Sequence, residues 1–224
     1  MPKRVKKTDQ NKAWNKVVKP VYQVQQIRAN QLILITCEGQ TEKLYFESFP
    51  VLGKDVRVID LKGQADLKLV ESTITLAQKQ KYDQIWCVFD LDVNQGEKEF
   101  ADFDNSIVQA QSLGYKVAYS NDSFELWFYL HYQYSEAEHH RSFYYGKLSE
   151  IWGISYENVG KKKEFASGIY ELLQKEEKAS QSEAIKRSKK LHDLHKKQNL
   201  PYHKQNPTSL VYELVELLNE NLRE

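Results

Sequence analysis

Four carboxylates stand just past apolar runs of the chain. Glu38 follows Gln31-Leu-Ile-Leu-Ile-Thr-Cys37, Asp90 and Asp92 follow Gln84-Ile-Trp-Cys-Val-Phe89, and Glu125 comes shortly after Lys116-Val-Ala-Tyr-Ser120. Residues two apart in an extended segment point the same way, so Asp90 and Asp92 can face one cation. Acids crowded together repel, and without a cation some are forced to protonate. Mg²⁺ demands oxygen ligands and is commonly held by one or two carboxylates, water and substrate phosphate. It can also neutralise charge developing on a phosphate. Glu38 is then a metal ligand or a general acid/base. Glu42, about one turn further along, either holds a second metal or complements a helix dipole.

Taken singly, each signal is weak. An Asp-x-Asp is common in loops, and a Glu-Gly after a strand is often only a turn. Glu125 also fits a surface acid at a helix start or the partner of a lysine, and Asn121 fits a cap. What gives the acids weight is their recurrence at successive strand ends. Trp86, Trp127, Trp152 and the Phe and Tyr residues read as core. His139 and His140 are adjacent and diverge on a helix, so together with His131 they do not suggest zinc. The Gly-x-x-x-x-Gly-Lys loop is absent, so any ATPase must be a separate subunit.

The elements that must position these acids alternate in type. The apolar runs 31–37 and 84–89 predict strands buried on both faces. Val56–Leu61 and Lys116–Ser120 predict two more. Between them, Thr41 is expected to cap a helix that runs to Phe49 before Pro50. Asp66 is expected to cap one carrying Leu67, Val70, Ile74 and Ala77, and Glu97–Leu113 to form another, closed by Gly114. Asn121–Ser123 is expected to cap a helix over Phe124–Leu130. Strands alternating with long helices predict a parallel sheet covered on both faces. Functional groups in such sheets gather beyond the carboxyl ends of the strands. A separation of about fifty residues between Glu38 and Asp90 then becomes proximity. From about Tyr134 the strand signal ends. A charged helical stretch near 164–197 follows, with a helix over Thr208–Leu222 capped by Thr208 after Pro207, while Lys161–Lys163 reads as a loop. The expected organisation is a flexible basic arm over 1–28, an α/β domain over 29–132 and a helical extension over 133–224.

The 224 residues, 41% hydrophobic, suffice for a real core. With 32 basic against 31 acidic side chains, net charge gives no reason to expect a polyanionic partner, but its distribution does. Basic blocks over 1–20 and 186–204 flank a more acidic middle, which fits nucleic acid as well as it fits solvated faces. Two lone cysteines, Cys37 and Cys87, indicate neither a disulfide framework nor a zinc site and suit a reducing cytoplasm. No segment reads as a secretory signal or a membrane span, so the expectation is a cytoplasmic protein without a membrane partner.

Cys37-Glu-Gly-Gln-Thr-Glu42 with Tyr45-Phe46, followed by Val88-Phe-Asp-Leu-Asp92, resembles the Toprim pattern of a glutamate after the first strand and Asp-x-Asp after the third. Ser120-Asn-Asp-Ser-Phe-Glu-Leu-Trp-Phe-Tyr-Leu-His131 and Asn206-Pro-Thr-Ser209 resemble, more narrowly, the RloB-like proteins. These are small Toprim-type proteins linked to restriction loci and phage defence. The resemblance runs from about residue 30 to the C-terminus. It implies a Toprim-like α/β fold and a Mg²⁺-dependent nuclease, with Mn²⁺ able to substitute, acting on DNA or RNA (tRNA included). It also implies a nearby ABC/AAA-type ATPase as partner. Glu38 matches the Toprim glutamate, Asp90 and Asp92 the metal-binding pair, and Glu42 and Glu125 acids typical of related branches. Asp122 stands where the family often has proline, a departure in the loop before Glu125.

The expectation is therefore an endonuclease. Asp90, Asp92 and Glu38 hold Mg²⁺, with Glu42 as a further metal ligand, and Glu38 or Glu125 activates water. Lysines of the 161–163 loop and the 186–197 block bind phosphates, and Lys163 is the choice for assisting transition-state charge. Homo-oligomerisation is compatible with this. Two other readings stay open: a non-catalytic adaptor of a defence ATPase, and a primase-like or nucleotide-acting phosphotransfer enzyme.

Overall fold

The computed structural model describes residues 31–52, 54–91, 97–220 and 222, with only backbone for Lys54 and Glu97–Glu99. The basic arm and Asp92 lie outside the described residues. The chain order is β1 (Gln31–Cys37), α1 (Gln40–Glu47), β2 (Lys54–Asp60), α2 (Asp66–Ala77), β3 (Gln84–Asp90), α3 (Glu97–Ser112) and β4 (Lys116–Asn121). It continues with α4 (Glu125–Leu130), α5 (Arg141–Trp152), α6 (Lys163–Ala166), α7 (Ile169–Lys175), α8 (Gln181–Gln198), β5 (Thr208–Ser209) and α9 (Val211–Asn219).

The apolar runs become the middle of the sheet for the reason their composition suggests. Ile33–Cys37 of β1 and Trp86–Phe89 of β3 are buried without alternation, as strands covered on both faces must be. The one polar side chain in the buried part of β1, Thr36, is satisfied: its hydroxyl meets that of Thr73 on α2 at 2.8 Å and donates to the Trp86 carbonyl at 3.2 Å. The strand order is β2-β1-β3-β4-β5. The pairs β1–β2, β1–β3 and β3–β4 are parallel, as expected, and helices cover the sheet. The chain leaves β1 toward β2 on one side and later returns to place β3 on the other. The gap between the ends of β1 and β3 is therefore the switch point of the topology, the place where open α/β sheets bind ligands.

The C-terminal half differs from the sequence expectation. Thr208 does not cap a helix. Thr208 and Ser209 form β5, which pairs antiparallel with β4 (Ser120↔Ser209, Asn121↔Thr208), and α9 starts only at Val211. Two residues carry no periodicity, and their partner lies almost ninety positions earlier, so no local signal could reveal the pairing. Lys161–Lys163 is not a simple loop either: a π-helical turn over Tyr156–Gly160 precedes it, and Lys163 opens α6. Two caps also move. Gly39 and Ala65 occupy the N-cap positions of α1 and α2, leaving Thr41 and Asp66 inside the first turns.

A single apolar cluster takes in Ile33 of β1, Phe103 of α3, Trp127 of α4, Leu173 of α7 and Leu214 of α9. The C-terminal helices thus share the core of the sheet. Leu214 is fully buried, so Leu214→Ala is expected to destabilise the protein by about 2–5 kcal/mol. Denaturant unfolding will read this as a single lowered transition; loss of α9 alone, with the sheet unaffected, would show that the C-terminal helix is not part of that core.

Candidate functional site

Glu38 and Asp90 arrive side by side because their strands do. In the β1–β3 register Cys37 stands opposite Val88, and the Glu38 N–H donates to the Val88 carbonyl at 3.1 Å. The next step along β3 brings the Asp90 N–H to 3.5 Å from Glu38 Oε2. Glu42 returns to the same point from α1. Its Oε2 lies so close to Gly39 that a Cβ there would stand 3.0 Å from it. Gly39 has an extended backbone that any residue adopts, so what glycine provides here is room for this carboxylate.

Glu125 reaches the site from α4, every residue of which is buried. The helix is locked to α1 through Tyr45, whose ring meets Phe46, Phe49, Phe124, Phe128 and Tyr170, and whose hydroxyl accepts from Trp127 Nε1 at 2.8 Å. One aromatic cluster thereby fixes the helices that carry Glu42 and Glu125. The Tyr156 hydroxyl donates to Glu125 Oε1 at 3.1 Å, and Lys161 Nζ lies 3.5 Å from the same oxygen. Lys161 also donates to the Tyr145 hydroxyl at 2.6 Å. Gly160 is needed for this arrangement, since a Cβ there would stand 2.1 Å from the Tyr156 ring.

Asp90 is held from the other side. Its Oδ2 accepts the Phe124 N–H at 3.1 Å, and its Oδ1 lies 3.9 Å from Arg141 Nη2. That guanidinium also donates to the Leu91 and Asp122 carbonyls at 3.2 and 3.3 Å, while the Arg141 N–H donates to Asp122 Oδ2. Arg141 thus ties the end of β3 to the turn after β4.

The electrostatics follow from crowding and burial. Glu38 is raised well above the carboxylate range, first by burial and then by Asp90 and Glu42. Glu42 is pushed up to about 8 by burial, Asp90 and Glu125, with Lys161 opposing. Asp90 is raised by burial and by Glu125, against the pull of Arg141 and Lys161. Burial disfavours the Lys161 charge, but Glu125, Tyr145 and Asp90 hold the ammonium protonated above its usual range. Carboxylates raised by one another and by burial mark a site whose charge is incompletely balanced by the protein's own cations.

Hard oxygen donors in such surroundings suit a divalent cation of the Mg²⁺ class. Among the described residues, no three His, Cys, Asp or Glu side chains form a ready-made ion site. Mg²⁺ needs only one or two carboxylates beside water and phosphate, so the donor chemistry of Glu38 and Asp90 fits it, with Glu42 alongside. Asp92, two residues on, lies outside the described residues.

The other singled-out residues fall elsewhere. Lys163 is exposed at the start of α6, and it is Lys161 that meets the acids; within a three-lysine run, spacing could not distinguish them. In the 186–197 block, Lys186, Lys189 and Lys190 face Glu183, Glu216 and Glu136 at 2.7, 2.6 and 3.1 Å, so the fold itself balances much of that charge. His139 stacks on Phe143, His140 caps α5, and His131 is buried against Trp127. Sequence reasoning missed Arg141, Tyr145 and Tyr156. All three follow the apparent end of the α/β pattern, and no local motif marks them.

A family model described as RloB-like protein matches residues 33–218. No curated protein and no solved structure matches the chain.

An acid whose pKa is raised by folding binds its proton more tightly folded than unfolded, so it favours the folded state at low pH and loses that contribution as pH rises. In EDTA the melting temperature is therefore expected to fall as pH goes from about 4.5 toward 8, with a shallower slope in Glu42→Gln. Mg²⁺ should restore stability at the upper end; thermal scans across pH will show a flat profile if the acids are already balanced. Gly39→Ala is expected to fold with stability close to wild type but to weaken this Mg²⁺ response, because its methyl would stand 3.0 Å from Glu42 Oε2 and push that carboxylate aside by a few tenths of an ångström.

Proposed function

The chain belongs to the RloB-like family, and from that premise we propose that it is a Mg²⁺-dependent nuclease hydrolysing phosphodiester bonds in DNA or RNA. The observation that carries this reading is the meeting of Glu38 and Asp90 at the β1/β3 switch point, where burial and neighbouring acids raise both, Asp90 acting on Glu38 and Glu125 on Asp90. Glu38 and Asp90, with Asp92, would hold Mg²⁺ or Mn²⁺, which when bound neutralises charge developing on the phosphate and leaving oxygen.

The chain's own groups divide the remaining work. Arg141 and the Phe124 N–H fix the Asp90 carboxylate, so that it does not rotate away from its neighbours. Glu125, oriented by Tyr156, or Glu38 positions the attacking water and accepts its proton. Lys161, anchored on Tyr145 and permanently charged, stands in the role assigned from sequence to Lys163 and counters negative charge on the phosphate. The exposed Lys162 and Lys163 beside it contact flanking phosphates, which makes binding salt-dependent. A separate ABC/AAA-type ATPase and a role in phage defence, in the cytoplasm, complete the proposal; both come from the family resemblance.

The purified protein is expected to cleave plasmid DNA or total tRNA with Mg²⁺ or Mn²⁺, and to stop in EDTA or as Asp90→Ala. Lys161→Ala should lower the cleavage rate by about 10²–10³-fold, while Lys163→Ala stays near wild type. Equal activity in Asp90→Ala would remove the site assignment. Absence of cleavage even with the partner ATPase and ATP would leave the non-catalytic adaptor reading in its place.

A further inference from the structure

One strand away from the acids, the same edge of the sheet opens into a cavity of about 980 Å³. It is walled by Phe100, Asp104 and Asn105 of α3, by Asn121 at the end of β4, and by His203 and Asn206 of the segment entering β5. None of these residues takes part in the acid cluster. The wall is built. Asp104 accepts the His203 N–H at 2.8 Å and meets its ring Nδ1 at 2.7 Å, which holds the imidazole flat against Phe100, with ring centroids 5.3 Å apart and planes 10° apart. Asn121, fully buried, spends its amide on the Tyr202 and His203 carbonyls at 3.3 and 2.9 Å. Among the described residues, its Oδ1 and that of Asn206 have no hydrogen-bond partner. A buried acceptor without a donor is unfavourable, so two on one wall point to a ligand that brings donors. Asn206 lines the cavity beside Asn121 and is itself partly exposed.

We propose that this cavity receives an unstacked nucleobase of a single-stranded substrate, placed on the Phe100–His203 aromatic wall with its polar edge toward Asn121 and Asn206. The inference rests on the nucleic-acid reading above and adds the substrate class: a strand with at least one base free to leave its stack. The chemistry favours a base over a phosphate. The walls offer acceptors and the carboxylates of Asp104 and Glu138, with Lys204 as the lysine present, so an anion meets like charge whereas amino groups on a base edge find partners. Stacking on aromatic side chains supplies the affinity and tolerates any base. Position fits too. Ser120 pairs with Asp90 across β3–β4, and Asn121 is the next residue. The end of β4 that borders the cavity therefore lies beside the end of β3 that carries Asp90.

The test is anisotropy of a labelled single-stranded oligonucleotide and of its abasic counterpart, in EDTA so that cleavage does not intervene. Wild type is compared with Phe100→Ala and with Ala101→Leu. Ala101 is an exposed helical position on the cavity wall, so the second variant fills the space without disturbing the core. Both variants are expected to bind the intact strand about tenfold more weakly, and all three proteins to bind the abasic strand alike. Unchanged affinity of Ala101→Leu for the intact strand, or equal binding of intact and abasic strands by wild type, overturns the cavity proposal. In either case Asp90-dependent cleavage can persist, and the nuclease reading then stands alone. No binding of either strand by wild type also overturns the cavity proposal, and Asp90-dependent cleavage of plasmid DNA or total tRNA with Mg²⁺ then decides the nuclease reading on its own.

Discussion

Carboxylates gathered at the ends of two adjacent parallel strands repel one another, and burial makes the repulsion worse. Glu38, Glu42 and Asp90 are each raised by a neighbouring acid as well as by loss of water. A protein can tolerate this only by surrounding the acids with donors and cations, and much of the surrounding structure does so. The Phe124 N–H and the Arg141 guanidinium serve Asp90, and Tyr156 and Lys161 serve Glu125. The compensation is partial: Glu38, Glu42 and Asp90 stay raised despite these partners.

The same requirement explains why the C-terminal half is more than an extension. Arg141, Tyr145, Tyr156 and Lys161 all come from the segment between α4 and α6; Arg141, Tyr156 and Lys161 meet acids supplied by the α/β part, and Tyr145 anchors Lys161. Aromatic packing transmits this placement inward: Trp152 meets Phe128 and Tyr156, and Phe128 meets Tyr45, so the position of Tyr156 is set by the cluster that anchors α1 and α4. The acids and their balancing groups are therefore held in place by one packed aromatic cluster.

β5 gives the molecule its second feature. By pairing with the last residues of β4, it brings Asn206 and His203 back to the carboxyl edge of the sheet, beside α3. A two-residue strand adds little stability of its own, but it fixes a wall of the cavity next to the acids. The acids and the cavity share one edge because β3 and β4 are neighbours, and Arg141 bridges the two strand ends.

The alternation of buried apolar runs with amphipathic helices determined the four parallel strands, their approximate limits, and the placing of Glu38 and Asp90 at strand ends and Glu125 at a helix start. These are local properties, written in hydrophobic period and in turn residues. The strand order was not local. Only tertiary packing put β3 beside β1 and so made Glu38 and Asp90 neighbours at a switch point, because strand pairing is decided by the whole core and not by any one segment. Which lysine of 161–163 meets the acids was likewise a tertiary matter: the π-helical turn over Tyr156–Gly160 ends just before Lys161, whose ammonium reaches Glu125. The sequence by itself determined which chemistry the chain could carry; the tertiary structure decided which residues share it, since repulsion, burial and compensation exist only between groups the fold has brought together.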